Sequence, residues 1–326
     1  MLVTSGLGYL RREGLINFCR RFLIFLILEW YADAFYVFKF RGKDSLIIKD
    51  IQGSKMYLNI RDKGVSRELA LVGIREKLFT ETLQSELREG DCVVDIGANI
   101  GYYSLMEARL IGPQGKVYAI EPAPHNINLL KESIRLNNYG NIETFHLAIG
   151  QSDGISPLYI SDHPNWCSFY PPRKIKGQID IEVASLDSFL MDKRRPNLIR
   201  MDVEGYEYEI LNGMSGILES TMPLRLFVEF HPDIMGRQRA AAFLSTLRDH
   251  RFQLKKVILE PNIYPPYSGL AWQLVEFLNE KRLKMKFGAW EMSLDDLLSN
   301  EPIMSGRAGD PILFLERNGT DSRQTM

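Results

Sequence analysis

VVDIGANIGYYS, residues 93–104, is the stretch on which the fold turns. Val93 and Val94 are β-branched and suit a buried strand. Asp95 stands at that strand's carboxyl end, and Gly97 and Gly101 allow backbone to approach a ligand closely before a helix begins at Tyr102. A strand, a glycine turn and a helix in this order form the cradle of a nucleotide-like ligand.

The run Gly97-Ala98-Asn99-Ile100-Gly101 lacks the middle glycine of a dinucleotide fingerprint. A carboxylate at Asp95 would repel a pyrophosphate, whereas it suits a cationic amine such as that of S-adenosylmethionine. A second strand, Lys116–Ile120, ends in Glu121 about twenty residues past the turn, where a carboxylate accepts from both ribose hydroxyls. Pro122 stops that strand, and His125–Asn138 reads as a helix with Ile127, Leu130 and Ile134 on one face.

The segments GDCVVDIGANIGYYS, KVYAIEP, NIETFHLAIG, ASLDSFL, LIRMDVEGYEYEILNG and LFVEFHP follow in that order. Together they resemble the FkbM family of S-adenosylmethionine-dependent methyltransferases, over about residues 64 to 232. The resemblance implies a Rossmann-like class I methyltransferase fold. It also implies S-adenosylmethionine held by Asp95, Gly97, Ala98, Asn99, Gly101 and Glu121, with Ala148 on the adenine side. Its acceptors would be hydroxyls of sugars, glycolipids or polyketide-type products. Arg75 and Glu76 fall in the part of the family pattern that covers the cofactor, and read equally as a surface pair.

Composition fits one large α/β core: 326 residues, 45% hydrophobic and 25% charged. Forty basic against forty-one acidic residues leave a net charge of -1, so no global field draws the chain to nucleic acid. Cys19, Cys92 and Cys167 are widely spaced and lack metal-like pairing, as in a reducing, cytoplasmic setting.

The apolar run FLIFLIL at residues 22–28 is too short to cross a bilayer, which takes about twenty residues. Residues 15–40 therefore suggest a peripheral membrane contact, a dimer contact or a helix packed on the domain, with a signal peptide cleaved near Ala32-Asp33-Ala34 as a rival. Ser45–Ile60 reads as short strands around Gln52-Gly53, and Arg67–Glu89 as mainly helix ended by Gly90. The expected domains are an N-terminal extension at 1–63, a methyltransferase domain at 64–317 and a polar tail at 318–326.

Past the first half-domain the expected elements are a third strand over Ile142–Ile149, a fourth over Leu198–Val203, a helix from Tyr206 to about Met214 and a fifth strand over Arg225–Phe230. Phe252–Ile258 is a sixth strand, and Pro311–Glu316 is an antiparallel last strand closing a seven-stranded, mostly parallel sheet with helices on both faces. Residues 161–177 read as loop, in which Trp166, Phe169 and Tyr170 either stack on an acceptor or pack on the core. Tyr264-Pro265-Pro266-Tyr267 resembles an amino-methylating box but lacks the amide or acid that nitrogen chemistry needs.

Residues two apart on a strand share a face, so Asp202 pairs with Glu204 and Glu229 with His231 at neighbouring strand ends. Methyl transfer to a hydroxyl is an in-line displacement that needs a base and a clamp. His231, oriented by Glu229, is the expected base, and Asp202 or Glu204 the base or clamp. The cluster could alternatively hold a divalent ion, although no metal ligand is assigned. An NAD-type oxidoreductase and a non-catalytic module of the same fold are the competing classes.

Overall fold

The computed structural model describes residues 36, 39–42, 44–62, 64–160, 167–170, 177–260 and 287–319. The chain divides into two compact units, Met1–Asp44 with Asn262–Val275, and Ser45–Pro261 with Glu276–Met326. In the first, the rings of Tyr36 and Phe40 meet at 4.7 Å. The apolar run at 22–28, most of the 15–40 contact segment and the box at 264–267 lie outside the described residues. Among the described residues, no helix is long and apolar enough to cross a membrane.

The second unit opens on a hairpin of β1 (Leu46–Ile51) and β2 (Ser54–Asn59). Its two-residue turn has positive φ at Gln52 and Gly53, 51° and 80°, matching the twist of a tight hairpin. The hairpin belongs to the same compact unit as the central sheet. Helices α1 (Val65–Leu71) and α2 (Lys77–Glu86) follow. The single helix expected over Arg67–Glu89 is thus two, broken where Gly73 and Glu76 turn to φ 83° and 43°. The second ends at Glu86, before Gly90.

Strand and helix then alternate through β3 (Cys92–Ile96), α3 (Tyr102–Ile111), β4 (Lys116–Ile120), α4 (Pro124–Asn137) and β5 (Ile142–Phe145). A second sheet follows, made of β6 (Ala148–Gly150), β7 (Gly154–Ile160), β8 (Cys167–Ser168) and β9 (Gly177–Ser185). The chain returns through α5 (Leu186–Phe189), β10 (Leu198–Met201), α6 (Glu207–Asn212), α7 (Ser215–Glu219) and β11 (Leu224–Glu229). It finishes with α8 (Pro232–Met235), α9 (Arg237–Asp249), β12 (Gln253–Leu259), β13 (Gly288–Trp290), α10 (Leu294–Ser299), α11 (Glu301–Met304) and β14 (Ile312–Arg317).

The central sheet runs β13-β12-β14-β11-β10-β3-β4-β5. The five strands from β11 to β5 are parallel, and β14 is antiparallel beside β11 as expected for the last strand. The expected seven strands become eight, because β13 adds an edge to β12. β3 and β10 are buried at every position. Successive side chains point to opposite faces, so both strands are covered on both sides. This is a Rossmann-like α/β fold, and its strand order reverses between β3 and β10. Ile96 and Met201 lie opposite each other there, so the loops leaving both strands open onto one crevice.

The strand expected over Ile142–Ile149 is split. Residues 142–145 stay in the central sheet, while Ala148–Gly150 pairs in parallel with β9. At Gly150 a Cβ would lie 2.8 Å from Val183 Cγ1 and 3.2 Å from Tyr206 Cε1, so a side chain would disturb this packing. Within the stretch expected as loop at 161–177, Cys167–Ser168 instead form β8 beside β7 and Gly177 opens β9, which pairs with β7 from Gly154 to Ile160. Phe169 stacks on Tyr206 at 4.6 Å, and the Tyr170 hydroxyl donates to Glu209 at 2.8 Å. These two rings pack on the domain, and Trp166 lies outside the described residues.

Candidate active site

The glycine turn is fixed by the strand beside it. The amides of Gly97 and Ala98 both donate to Ile120 O, at 3.0 Å each, and the Asn99 amide donates to Glu121 Oε2 at 2.8 Å. Asn99 adopts φ 53°, and its own Oδ1 accepts from the Ile100 amide at 2.8 Å. Glu121 Oε1 accepts from the Ala123 amide at 2.9 Å and from Asn126 Nδ2 at 3.3 Å. Gly97, Ala98, Asn99, Gly101 and Glu121 are therefore one hydrogen-bonded unit. Ala148 is buried at the start of β6, paired with Val183 in the second sheet.

Glu121 is 5% exposed, and burial raises its carboxyl to about 7 against three hydrogen bonds that favour the anion. A folded pKa above the unfolded one stabilises the fold fully below the ordinary carboxylate range, and that contribution is lost as pH rises through about 7. Glu68, also raised to about 7 mainly by burial, adds in the same direction. We expect the thermal midpoint of the unliganded protein to fall between about pH 5 and pH 8. Glu121→Gln should flatten part of that fall, as followed by circular dichroism melts; an unaltered slope would contradict the assignment.

The expected role of Asp95 is corrected by its surroundings. Its side chain is 0% exposed; it accepts from Ser104 Oγ and pairs with Arg200 Nη1 at 2.7 Å. It therefore faces the protein interior and holds no free charge for a ligand's amine. Arg200 extends its other nitrogen to Asp202 Oδ2 at 3.0 Å and lies 4.1 Å over the Tyr103 ring. One buried guanidinium thus ties the end of β3 to the loop leaving β10.

Asp202, Glu229 and His231 come together at the carboxyl ends of β10 and β11, with one possible ligand atom from each lying within 4.8 Å of the others. Strand alternation is not the cause, because β10 ends at Met201 and the chain then turns through Glu204 at φ 53° and Gly205 at φ 96°. His231 Nε2 stands 4.0 Å from both Glu204 Oε2 and Glu229 Oε1. Its Nδ1 lies 2.8 Å from Glu207 Oε1, which also accepts from the Gly205 amide at 3.0 Å. Glu207, wholly buried, was assigned no role from sequence; its signal was its place at the first turn of α6, five residues after Asp202.

Charges settle unevenly in this cluster. Burial pushes Glu229 well above the usual carboxylate range, with Asp202 and Glu76 adding to it. Burial also opposes ionisation of Asp202, yet Arg200, Arg75, His231 and a hydrogen bond with Glu229 hold it low. The proton of this carboxyl pair therefore resides on Glu229. Burial would lower His231, but Glu207, Glu229 and Glu204 together raise it well above its ordinary value. Its neighbours thus favour the imidazolium over the free base expected from the sequence. Glu204, raised to about 7 mainly by burial, has the most open side chain of the group at 39%.

Arg75 and Glu76 are not a surface pair. The Arg75 guanidinium contacts Glu68 Oε2 at 3.3 Å and Glu76 Oε1 at 2.5 Å, and Tyr103 donates to Glu76 at 2.6 Å. The charge of Arg75 reaches Asp202, Glu204 and Glu229, so the break between α1 and α2 borders the cluster. At Cys167, burial together with the charge of Glu121 pushes the thiol up to about 12.

The cluster and the turn fall within residues 95–254, which match the family described as the methyltransferase FkbM domain. Methyltransferase 1 of Beauveria bassiana is 28% identical over 144 residues, covering 37% of this chain and 57% of its own length. Methyltransferase sdnD of Sordaria araneosa is 27% identical over 43% of this chain and 68% of its own length. Hexuronic acid methyltransferase AglP of Haloferax volcanii is 28% identical over 47% of this chain and 61% of its own length. The chain thus spans between 57% and 68% of the length of these relatives. The glycine turn, Glu121 and the acid cluster all lie inside the matched region, and the domain they form belongs to the FkbM methyltransferase family.

Proposed function

We propose that this protein transfers the methyl group of S-adenosylmethionine to a hydroxyl oxygen of a sugar, glycan or related natural product. The observation that carries this reading is the adjacency, across Arg200, of two dissimilar sites. One is a glycine turn closed by Glu121; the other is an acid cluster at the neighbouring strand ends. The names of the relatives support the acceptor class, since one is a hexuronic acid methyltransferase.

The turn fits the cofactor. Gly97 and Asn99 are half-buried, and Glu121 offers a carboxylate for ribose hydroxyls. When bound, S-adenosylmethionine supplies an electrophilic methyl on a sulfonium leaving group. Glu204 is the carboxylate an arriving hydroxyl meets first, because its companions are more deeply buried. On this reading it takes the hydroxyl proton as the oxygen–methyl bond forms and the sulfur–methyl bond breaks, while Asp202 clamps the acceptor. His231 and Glu207 hold the ends of β10 and β11 in register.

Calorimetry with S-adenosylhomocysteine and with NAD tests the cofactor: the first should bind saturably and the second should not. Methyl transfer is then assayed on a panel of uronic-acid and neutral-sugar acceptors. Glu204→Gln should lower kcat by about a hundredfold or more with affinity for S-adenosylhomocysteine unchanged. Failure to bind S-adenosylhomocysteine overturns the reading, and a fully active Glu204→Gln overturns the choice of base.

A further inference from the structure

His231 Nε2 is the detail of the cluster that hydrogen bonding leaves unexplained. The side chain is 4% exposed, Nδ1 is engaged by Glu207, and Nε2 makes no hydrogen bond among the described residues. It faces Glu204 and Glu229 at 4.0 Å each, too far for a bond. Among the described residues Nε2 is thus held toward two carboxylates without bonding either.

We propose that Asp202, Glu229 and His231 bind a divalent transition-metal ion through two carboxylates and Nε2. Their ligand atoms lie within 4.8 Å of one another. Two ligands on one first-row ion stand at most about 4.4 Å apart, so closing on the ion takes side-chain shifts of a few tenths of an ångström. The surrounding residues already orient the ligands. Glu207 fixes the imidazole ring through Nδ1, as the outer carboxylate does in carboxylate–histidine–metal arrangements, and Glu207 is itself held by the Gly205 amide. Arg200 fixes one oxygen of Asp202. On binding, the ion replaces the Nε2 proton and the proton that Glu229 holds for the carboxyl pair, and both are released to solvent.

The donor set selects the metal. Calcium takes six to eight oxygens and magnesium a nearly all-oxygen octahedron, whereas two carboxylates with an imidazole suit manganese or zinc. Three protein ligands leave further positions open, as in sites that bind a reactant rather than only support the fold. The site does not depend on the methyl-transfer reading. If that reading holds, the ion would lie where the acceptor arrives and would acidify its hydroxyl.

The test uses the full chain, chelated and dialysed, titrated with manganese(II) and followed by the electron paramagnetic resonance signal of free manganese. One saturable site per chain is expected, displaced by zinc(II) and weakened at least tenfold in both Asp202→Asn and Glu229→Gln. Melting curves of the variants verify their fold. Should either melt early, electron spin echo modulation on the wild-type complex decides: imidazole nitrogen coupled to bound manganese supports the site, and its absence overturns it. Absence of a saturable site for either metal, or unchanged affinity in both folded variants, also overturns it. S-adenosylhomocysteine binding by the same samples reports separately on the cofactor site.

Discussion

Arg200→Met is expected to lower the stability of the domain by about 3–5 kcal/mol, one of the two largest effects of any single substitution considered. Arg200 is buried and forms the ion pair with Asp95 at 2.7 Å, while Asp95 has no exposure to water. Removing the guanidinium strands that carboxylate in the interior with only the Ser104 hydroxyl for support. It also frees Asp202 from its 3.0 Å tie and leaves the Tyr103 ring face uncovered. In a domain of this size the cost corresponds to roughly 10 °C in the melting midpoint. Urea unfolding of Arg200→Met, Asp95→Leu and the double variant checks the cause. Replacing both members of a buried ion pair by apolar groups is far milder than removing one. The double variant should therefore lose less than the sum of the two singles. A single variant within about 1 kcal/mol of wild type would show that Asp95 does not depend on Arg200.

The same pair marks where sequence reading reached and where it stopped. The positions of β3, β4 and α4 follow from local pattern: an apolar β-branched run, a glycine turn, and a helix whose Ile127 and Leu130 point inward. Glu121 was equally legible, because the end of the second strand is a defined place relative to the turn. Asp95 was located correctly, but its partner was hidden: Arg200 is 105 residues away, and only the pairing of β3 with β10 brings the two together. An internal ion pair and a ligand-binding carboxylate look identical in one dimension.

The acid cluster repeats this lesson at closer range. Alternation grouped Asp202 with Glu204 and Glu229 with His231, and these residues do gather, but through a left-handed turn at Glu204-Gly205 rather than along a strand. Whether His231 acts as a base depends on Glu207, whose side chain reaches it from α6. Charge state is a property of neighbours, and the neighbours come from tertiary structure. The split of 142–149 between two sheets has a similar origin. No residue type in that run announces a change of sheet, since Gly150 is excused from bearing a side chain by Val183 and Tyr206, both distant in sequence.

Gly97→Ala should abolish detectable cofactor binding and lower stability by about 2–4 kcal/mol, through a clash that cannot relax locally. Gly97 has φ 82°, a region that costs an L-residue roughly 1–2 kcal/mol before any contact is made. A Cβ there would be driven into the Asp202 carbonyl oxygen, with the carbonyl carbon only 3.0 Å away. That carbonyl is backbone, and the same peptide segment is anchored by the Asp202 amide donating to Ile96 O at 3.0 Å. Relief therefore requires the ends of β3 and β10 to part, which displaces the turn, Glu121 and Asp202 together. Gly101 offers the contrast. Its φ is 90°, but an added Cβ meets the end of the Leu130 side chain, which can rotate, so Gly101→Ala should cost about half as much. Asn99→Gly keeps the φ of 53° available and loses only the bond from the Ile100 amide, a loss of about 1 kcal/mol or less. The order of damage, Gly97→Ala beyond Gly101→Ala beyond Asn99→Gly, is read by urea midpoints and by calorimetry with S-adenosylhomocysteine. A Gly97→Ala protein that unfolds and binds like wild type would mean that the two strand ends are not as closely apposed as the crevice requires.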